Sequence, residues 1–263
     1  MSNFDSLVND AQKAGKDIEA FLKMFFTTTQ FNDYELDDDL DANERKAVKT
    51  MFSSRKDLRE RTSQAFAIDP LCLEAFFVYY ALTEDVFVNY RFENYYAQAN
   101  NYADMTPHQQ KAFIRIMDFY VDFLIDIHNF SAAIRVERLI IRLSNSLKGR
   151  NLTRLAFLYN VLEKDEDFYR LYLEAEFTTY EYILLIVTLL KHNDEYRAKE
   201  VADDMFKHIP YATYIDHLWD LDQNDEKQRA FYQSVEDCYQ ETAAVPDFFS
   251  FMSRAREAFE EKE

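Results

Sequence analysis

The chain has 263 residues, 48% hydrophobic and 16% aromatic, with 30 basic and 48 acidic side chains for a net charge of −18. That length can bury a sizeable core, and one elongated domain fits it as well as two compact ones. Two glycines and four prolines are too few turn-makers for a β-sandwich or barrel, and Gly15 and Gly149 lie too far apart for a phosphate-cradling loop or a nucleophile elbow. The acidic balance disfavours a whole-surface affinity for nucleic acid or anionic membrane. Cys72 and Cys238 make no disulfide framework and read as buried thiols in a reducing compartment. The start, Met1 to Asp5, has no signal-peptide character. The longest apolar run, Ala75 to Leu82, is far below membrane-span length, so the expectation is a soluble cytoplasmic protein.

Ser2 caps a first amphipathic helix that places Phe4, Leu7, Ala11, Ile18, Phe21, Leu22 and Phe25 at three-to-four spacing and ends at Thr27-Thr28-Thr29. An acidic connector, Asn32 to Asp41, follows. Counted from Asp33, acids occupy calcium-loop positions one, three, five, seven and nine, with Glu44 at twelve. Asp38 stands at the sixth position, where the sharp turn needs glycine, so a solvated linker is the reading. A helix is expected from about Ala42 to Ala67, with Ser53-Ser54 its weak point. At Ile68-Asp69-Pro70-Leu71, Asp69 can cap a new helix with Pro70 at its first position, running to about Leu82. A further helix is expected from Thr83 to about Met105. Thr106-Pro107-His108-Gln109 forms a capping box that opens a long helix to about Ile127, with Phe113, Ile116, Met117, Tyr120, Leu124 and Ile127 inward.

The next helix starts after His128-Asn129 and buries Ala133, Val136, Ile140, Leu143 and Leu147, and Gly149 suits the residue just past its end. Shorter helices run from Asn151 to about Glu163 and from Asp165 to about Glu174. Thr178 and Glu181 form another capping box, with Phe177 and Tyr182 as a hydrophobic staple. The helix from Tyr182 to Leu190 is apolar nearly all round and must be sandwiched between neighbours. After the break His192-Asn193-Asp194-Glu195, a partner helix carries Ala198, Val201, Ala202, Met205 and Ile209 on one stripe until Pro210. Helices around 214–221 and 225–241, one after Pro246 and a solvated acidic tail complete the chain.

Antiparallel pairs of this kind cannot cover their apolar faces alone and need similar neighbours. The spacings resemble those of tetratricopeptide-type repeats. In that family a small residue early in the second helix is followed seven positions on by another and five later by proline. Ala198, Met205 and Pro210 keep the spacing, Ala65 and Pro70 keep the later pair behind Leu58, and Ala133 keeps the first position. The signature of the first helices is absent, with Ile186 and Tyr80 where small residues fall. The resemblance implies an all-α stack of antiparallel helical hairpins, with an irregular helical bundle as the alternative. It also implies a concave groove lined by first helices. The chain is read as a single all-α domain over 1–263, with 1–41 as amphipathic helix plus acidic connector and 42–263 as the hairpin array.

Little in the pattern carries catalysis. The residues three before the five histidines are Met105, Ile125, Leu189, Met205 and Tyr214, so no Glu-x-x-His pair exists. No cysteine pair has zinc spacing, and Asp204 with His208 reads as a surface pair near a helix C-terminus. No catalytic residue, metal ligand or cofactor is assigned. Two features point to binding instead. Between His128 and Leu162 the charge reverses: Arg135, Arg138, Arg142, Lys148, Arg150 and Arg154 face only Glu137, leaving the rest of the chain at −18 − 5 = −23. A solvated face paired with neighbouring acids competes here with a local site for an acidic peptide, carboxylate or phosphate. By the family's geometry Arg154, on a first helix, is the better groove residue. The second feature is an aromatic belt from Phe76 to Tyr96, in which Tyr79, Tyr80 and Tyr95 are candidate groove residues. The expected function is a non-catalytic scaffold or adaptor that binds a peptide or protein. The alternatives are a regulator binding phosphate or nucleic acid through the arginines, and an enzyme with a dispersed site.

Overall fold

A computed structural model describes residues 4, 7, 8, 11, 17–34, 36, 40–53, 57–175, 177, 179–208, 245 and 248–260. Ser2, Gly15, Thr178, Ile209, Pro210, Cys238, the expected helices at 214–221 and 225–241, and the last three residues of the tail lie outside them. The described residues form twelve α-helices and two short 3-10 segments, with no strand among them. The chain divides into two compact units, residues 1–127 and 128–263.

The first unit contains α1 (Ile18–Thr28), α2 (Ala42–Met51), α3 (Leu58–Ile68), α4 (Leu73–Leu82), α5 (Asp85–Ala97) and α6 (Pro107–Asp126). Neighbours in sequence pack on each other, α2 on α3, α3 on α4 and α5 on α6, and α1, α2 and α6 all reach α4. That arrangement follows from α4 itself, in which every residue from Leu73 to Val78 is buried. Its rings join a continuous aromatic core: Phe76 and Phe77 meet Phe119, Phe76 meets Phe92, and Phe92 stacks on Tyr120 at 4.7 Å. Each fully buried ring of this size is worth about 1.5–3 kcal/mol over its exposed state.

Polar side chains close the helix ends. Asp41 and Glu44 form a capping box on α2, and Thr106 with Gln109 forms the expected one on α6. The two boxes are joined, because the Thr106 hydroxyl donates to Glu44. Glu44, twelfth in the calcium-loop count, is therefore committed to a helix start. Arg61, in the first turn of α3, donates to the carbonyl oxygens of Met51 and Phe26 at 2.8 and 3.1 Å, satisfying the C-terminal ends of α2 and α1.

Three boundaries differ from the expected ones. Asp17 caps α1 by accepting from the Ala20 amide, so the amphipathic stretch is broken before Ile18. The helix expected over 42–67 does break at its weak point, into α2 and α3, with Asp57 capping the second. Pro70 is not a first helical residue: Asp69 accepts from the Leu71 amide and from Gln109, making a corner that delays α4 to Leu73. The helix expected to reach Met105 ends at Ala97 and continues as a 3-10 segment, Gln98–Asp104. Ile127, expected inward, is exposed.

The second unit contains α7 (Phe130–Ser144), α8 (Gly149–Val161), α9 (Asp165–Glu174), α10 (Thr179–Lys191), α11 (Glu195–His208) and α12 (Phe248–Glu260). Here α8 packs on α7, α9 and α10, while α11 packs on α10 and α12. α8 and α10 run parallel. The Glu181 carboxylate at the start of α10 accepts from the Gly149 amide at the start of α8. At the far end Asn160 donates to Asp194 at 2.9 Å, and Arg197 donates to Asn160. Asp194 also accepts from the Arg197 amide as the cap of α11, and the staple rings of Phe177 and Tyr182 lie 5.4 Å apart, as the pattern implies. Gly149 does not end α7. Asn145 does so in the left-handed conformation, and Gly149 (φ 58) opens α8 instead. Leu147 is exposed rather than inward because it lies beyond that cap.

Arg154 and Glu137 form a buried ion pair between α8 and α7, the arginine 6% and the glutamate 0% exposed. Removing one partner of such a pair strands a charge in the core. Glu137→Leu should therefore cost about 3–5 kcal/mol in urea unfolding, and adding Arg154→Met should recover most of it. Equal losses for the single and double variants would contradict a coupled pair.

Candidate functional site

The described cavity of the first unit is a cleft of about 340 Å³. α3 contributes Arg59, Thr62 and Ser63; α4 contributes Val78, Tyr79 and Leu82; and the bend into α5 contributes Thr83, Glu84 and Phe87. Its walls are tied together by polar contacts. Arg59 donates to the Leu82 carbonyl at 3.3 Å, and the Tyr79 hydroxyl donates to the Phe87 carbonyl at 3.2 Å. Beside the cleft, α5 leaves Val86, Phe87 and Tyr90 at 76%, 58% and 70% exposure. Scattered apolar residues on a surface need no explanation, but three large ones on one helix edge beside an apolar cleft form a patch.

Arg91 sets this wall. Its guanidinium lies 3.5 Å from the Phe66 ring centroid and 5.1 and 5.3 Å from those of Tyr79 and Tyr95. Its Nε donates to the Tyr95 hydroxyl at 3.1 Å, which donates in turn to the Pro70 carbonyl at 2.8 Å. Burial pushes the Tyr95 phenol up to about 12, so it stays a neutral donor. Of the three tyrosines singled out by sequence, Tyr79 lines the cleft and Tyr95 is a buried strut behind it. Tyr80 points elsewhere, against Phe76, Phe92 and Phe119. Its phenol is raised by burial and then by Asp126, Asp122 and Asp85. Tyr95 is therefore no groove residue, since its hydroxyl is spent on Pro70. Arg59 in the cleft and Val86 at its edge are residues that sequence reasoning missed, and it placed Phe87 and Tyr90 in the belt without separating them from the core. A helix with apolar side chains all round gives no signal of which side stays open.

In the second unit the arginines fall into two sets. Arg135, Arg138, Arg142 and Arg150 are exposed. Arg154 is buried against Glu137, which corrects its reading as a groove residue: the family's geometry assumes a free side chain, and a carboxylate seventeen residues earlier holds this one. Arg138 donates twice to the Tyr159 hydroxyl, at 3.0 and 2.7 Å, with its guanidinium 5.4 Å from that ring.

Two clusters of titratable groups lie outside the cleft. In the second unit Tyr172 and Tyr182 both donate to Asp204, the latter at 2.9 Å, and His208 Nδ1 lies 3.5 Å from the same carboxylate. Burial and this acceptor push Tyr182 up to about 12 and Tyr172 further. His208 is well exposed, so the pair sits at the surface. In the first unit Glu74 accepts from Tyr34 at 2.7 Å and from Cys72 at 3.4 Å. Burial raises the carboxyls of Glu74 and Asp69 and holds the Cys72 thiol well above its usual range, so the thiol is unreactive. None of these groups lines the cleft. Among the described residues no set of three or more His, Cys, Asp or Glu side chains is arranged to hold a metal ion, and no helix is long and apolar enough to cross a membrane.

Together these features define an all-α chain of paired helices with an apolar cleft on one unit and an arginine face on the other. The chain matches no protein-family model, no curated protein and no solved structure.

Because Glu74 binds its proton more tightly folded than unfolded, its ionisation opposes folding as pH rises from the ordinary glutamate range, about 4.3, through the raised folded value. Glu74→Gln should therefore gain stability relative to the native chain as pH rises through that window, and show no such gain below it. A flat difference in urea midpoints across the window would show that Glu74 titrates normally.

Proposed function

We propose that this protein is a non-catalytic interaction module of tetratricopeptide-like helical hairpins that binds a peptide segment of a protein partner. The observation that carries the reading is the cleft between α3, α4 and the start of α5, with Val86, Phe87 and Tyr90 exposed at its edge. At about 340 Å³ the cleft stands at the lower end of the range for ligand pockets, about 300 to 1,000 Å³, which suits one or two side chains. Its lining is mostly apolar, with Arg59 and Glu84 as charged members, which suits a large apolar anchor flanked by peptide backbone. The walls are held before any ligand arrives, by Arg59 on the Leu82 carbonyl and Tyr79 on the Phe87 carbonyl, which lowers the ordering cost of binding.

The repeat-like reading is supported by the second unit, where parallel α8 and α10 are each followed by the helix that covers them, α9 and α11. A cytoplasmic site of action accords with Cys72, a free buried thiol. An enzymatic reading has less support, since the shifted carboxyls of Asp69 and Glu74 are tied into Gln109, Tyr34 and Cys72 and lie away from the cleft.

Selection from a random peptide library against the full chain should enrich sequences with a recurrent aromatic or branched apolar residue. Those peptides should bind at micromolar affinity, on the order of −8 kcal/mol, and lose at least tenfold with Phe87→Asp. Failure to enrich such peptides, or binding indifferent to Phe87→Asp, would remove the cleft from consideration.

A further inference from the structure

We infer that the exposed arginine face of α7 is a second docking surface, for a short helical segment of a protein partner that presents acids at every third or fourth position. The sequence leaves open whether these arginines are cancelled by neighbouring acids. The structure answers for this segment. Its only acid between 128 and 162, Glu137, is fully buried and bound to Arg154. Four cations, Arg135, Arg138, Arg142 and Lys148, are left exposed with no acid of the same segment beside them. Neither Arg135 nor Arg142 has a hydrogen bond or ion pair with any described residue. Arg138 is held by a phenol, Tyr159, which fixes the guanidinium without neutralising it.

Geometry narrows the occupant. Arg135, Arg138 and Arg142 lie three and four residues apart on one helix face, neighbours at about 5–6 Å between Cβ atoms. From first to last they span about 10 Å along the axis at 1.5 Å per residue. Carboxylates on a partner helix at the same spacing can meet all three, and the planar guanidinium fork suits a carboxylate. A long polyanion is disfavoured, because the rest of the chain carries −18 − 5 = −23. Nucleic acid extending past this strip by more than a screening length of about 8–10 Å enters a repelling field, whereas a segment of two or three turns does not.

The test uses the full chain and a fluorescent helical peptide of about 18 residues, long enough to hold a helix, with glutamates at three-to-four spacing. A peptide with the same number of glutamates placed all round the helix, and a single-stranded oligonucleotide of equal charge, complete the set. Anisotropy at low salt should show the patterned peptide binding more tightly than either control. Arg135→Glu with Arg142→Glu should weaken it at least tenfold while leaving the circular dichroism and the unfolding midpoint unchanged. Arg135→Ala with Arg142→Ala should produce a smaller loss of the same sign, which guards against misfolding by charge reversal. Phe87→Asp should leave this binding untouched, so the surface stands or falls separately from the cleft. No binding of the patterned peptide, a loss below tenfold on charge reversal, or tighter binding of the scattered peptide or the oligonucleotide would each overturn the assignment.

Discussion

The structure depends on a few helices that are apolar on almost every side. In α4 and α8 long runs of consecutive residues are buried, Leu73–Val78 and Leu152–Asn160, and α10 buries Tyr182, Ile183, Leu185, Ile186, Val187 and Leu189. Such a helix has no solvent face, so it is stable only with neighbours on several flanks. That requirement places α1, α2, α3 and α6 around α4, and α7, α9 and α10 around α8. The other helices form the covering layer. Hydrophobic burial therefore organises each unit from the inside, and the surface features are what the covering layer leaves exposed.

A buried helix has to bury its polar ends and its occasional polar side chain too, and specific partners meet several of these. Glu74 in α4 receives Tyr34 and Cys72, Arg154 in α8 receives Glu137, and Asn160 at the end of α8 bridges to Asp194 and Arg197. An unmatched group in these positions costs about 1–3 kcal/mol, and more when charged. The contacts also set register. Glu181 on the Gly149 amide and Asn160 on Asp194 can both form only if α8 and α10 lie parallel and level.

Much of this framework is legible in the residues. The capping box at Thr106, the cap at Asp194, the staple of Phe177 and Tyr182 and the all-round apolar pattern of 182–190 each predict a local structure that forms, because each depends on neighbours within one or two turns. Boundaries set by longer-range contacts are not legible in this way. Pro70 looks like a helix start until Asp69 is seen bonded to Gln109, forty residues away. The arginines show the same limit. Arg61 caps carbonyls of two other helices, Arg91 sits among three rings, Arg154 is paired in the core, and Arg135 and Arg142 stay outside. In sequence they are alike; what separates them is the presence of a carbonyl, a ring or a carboxylate brought close by folding.

The two surfaces left by this framework have different physics. An apolar cleft with preset walls gains affinity from desolvating an anchor side chain, a contribution that survives physiological salt. An arginine face keeps its charges hydrated, so each contact is modest and screened, and its main effect is on partner choice and encounter rate. On a chain of net charge −18 the second effect is sharpened, because the net charge disfavours anions elsewhere. Arg138 makes the division of labour visible within that face. Its packing on Tyr159 places the charge, while Arg135 and Arg142 on either side remain free to adjust to what arrives.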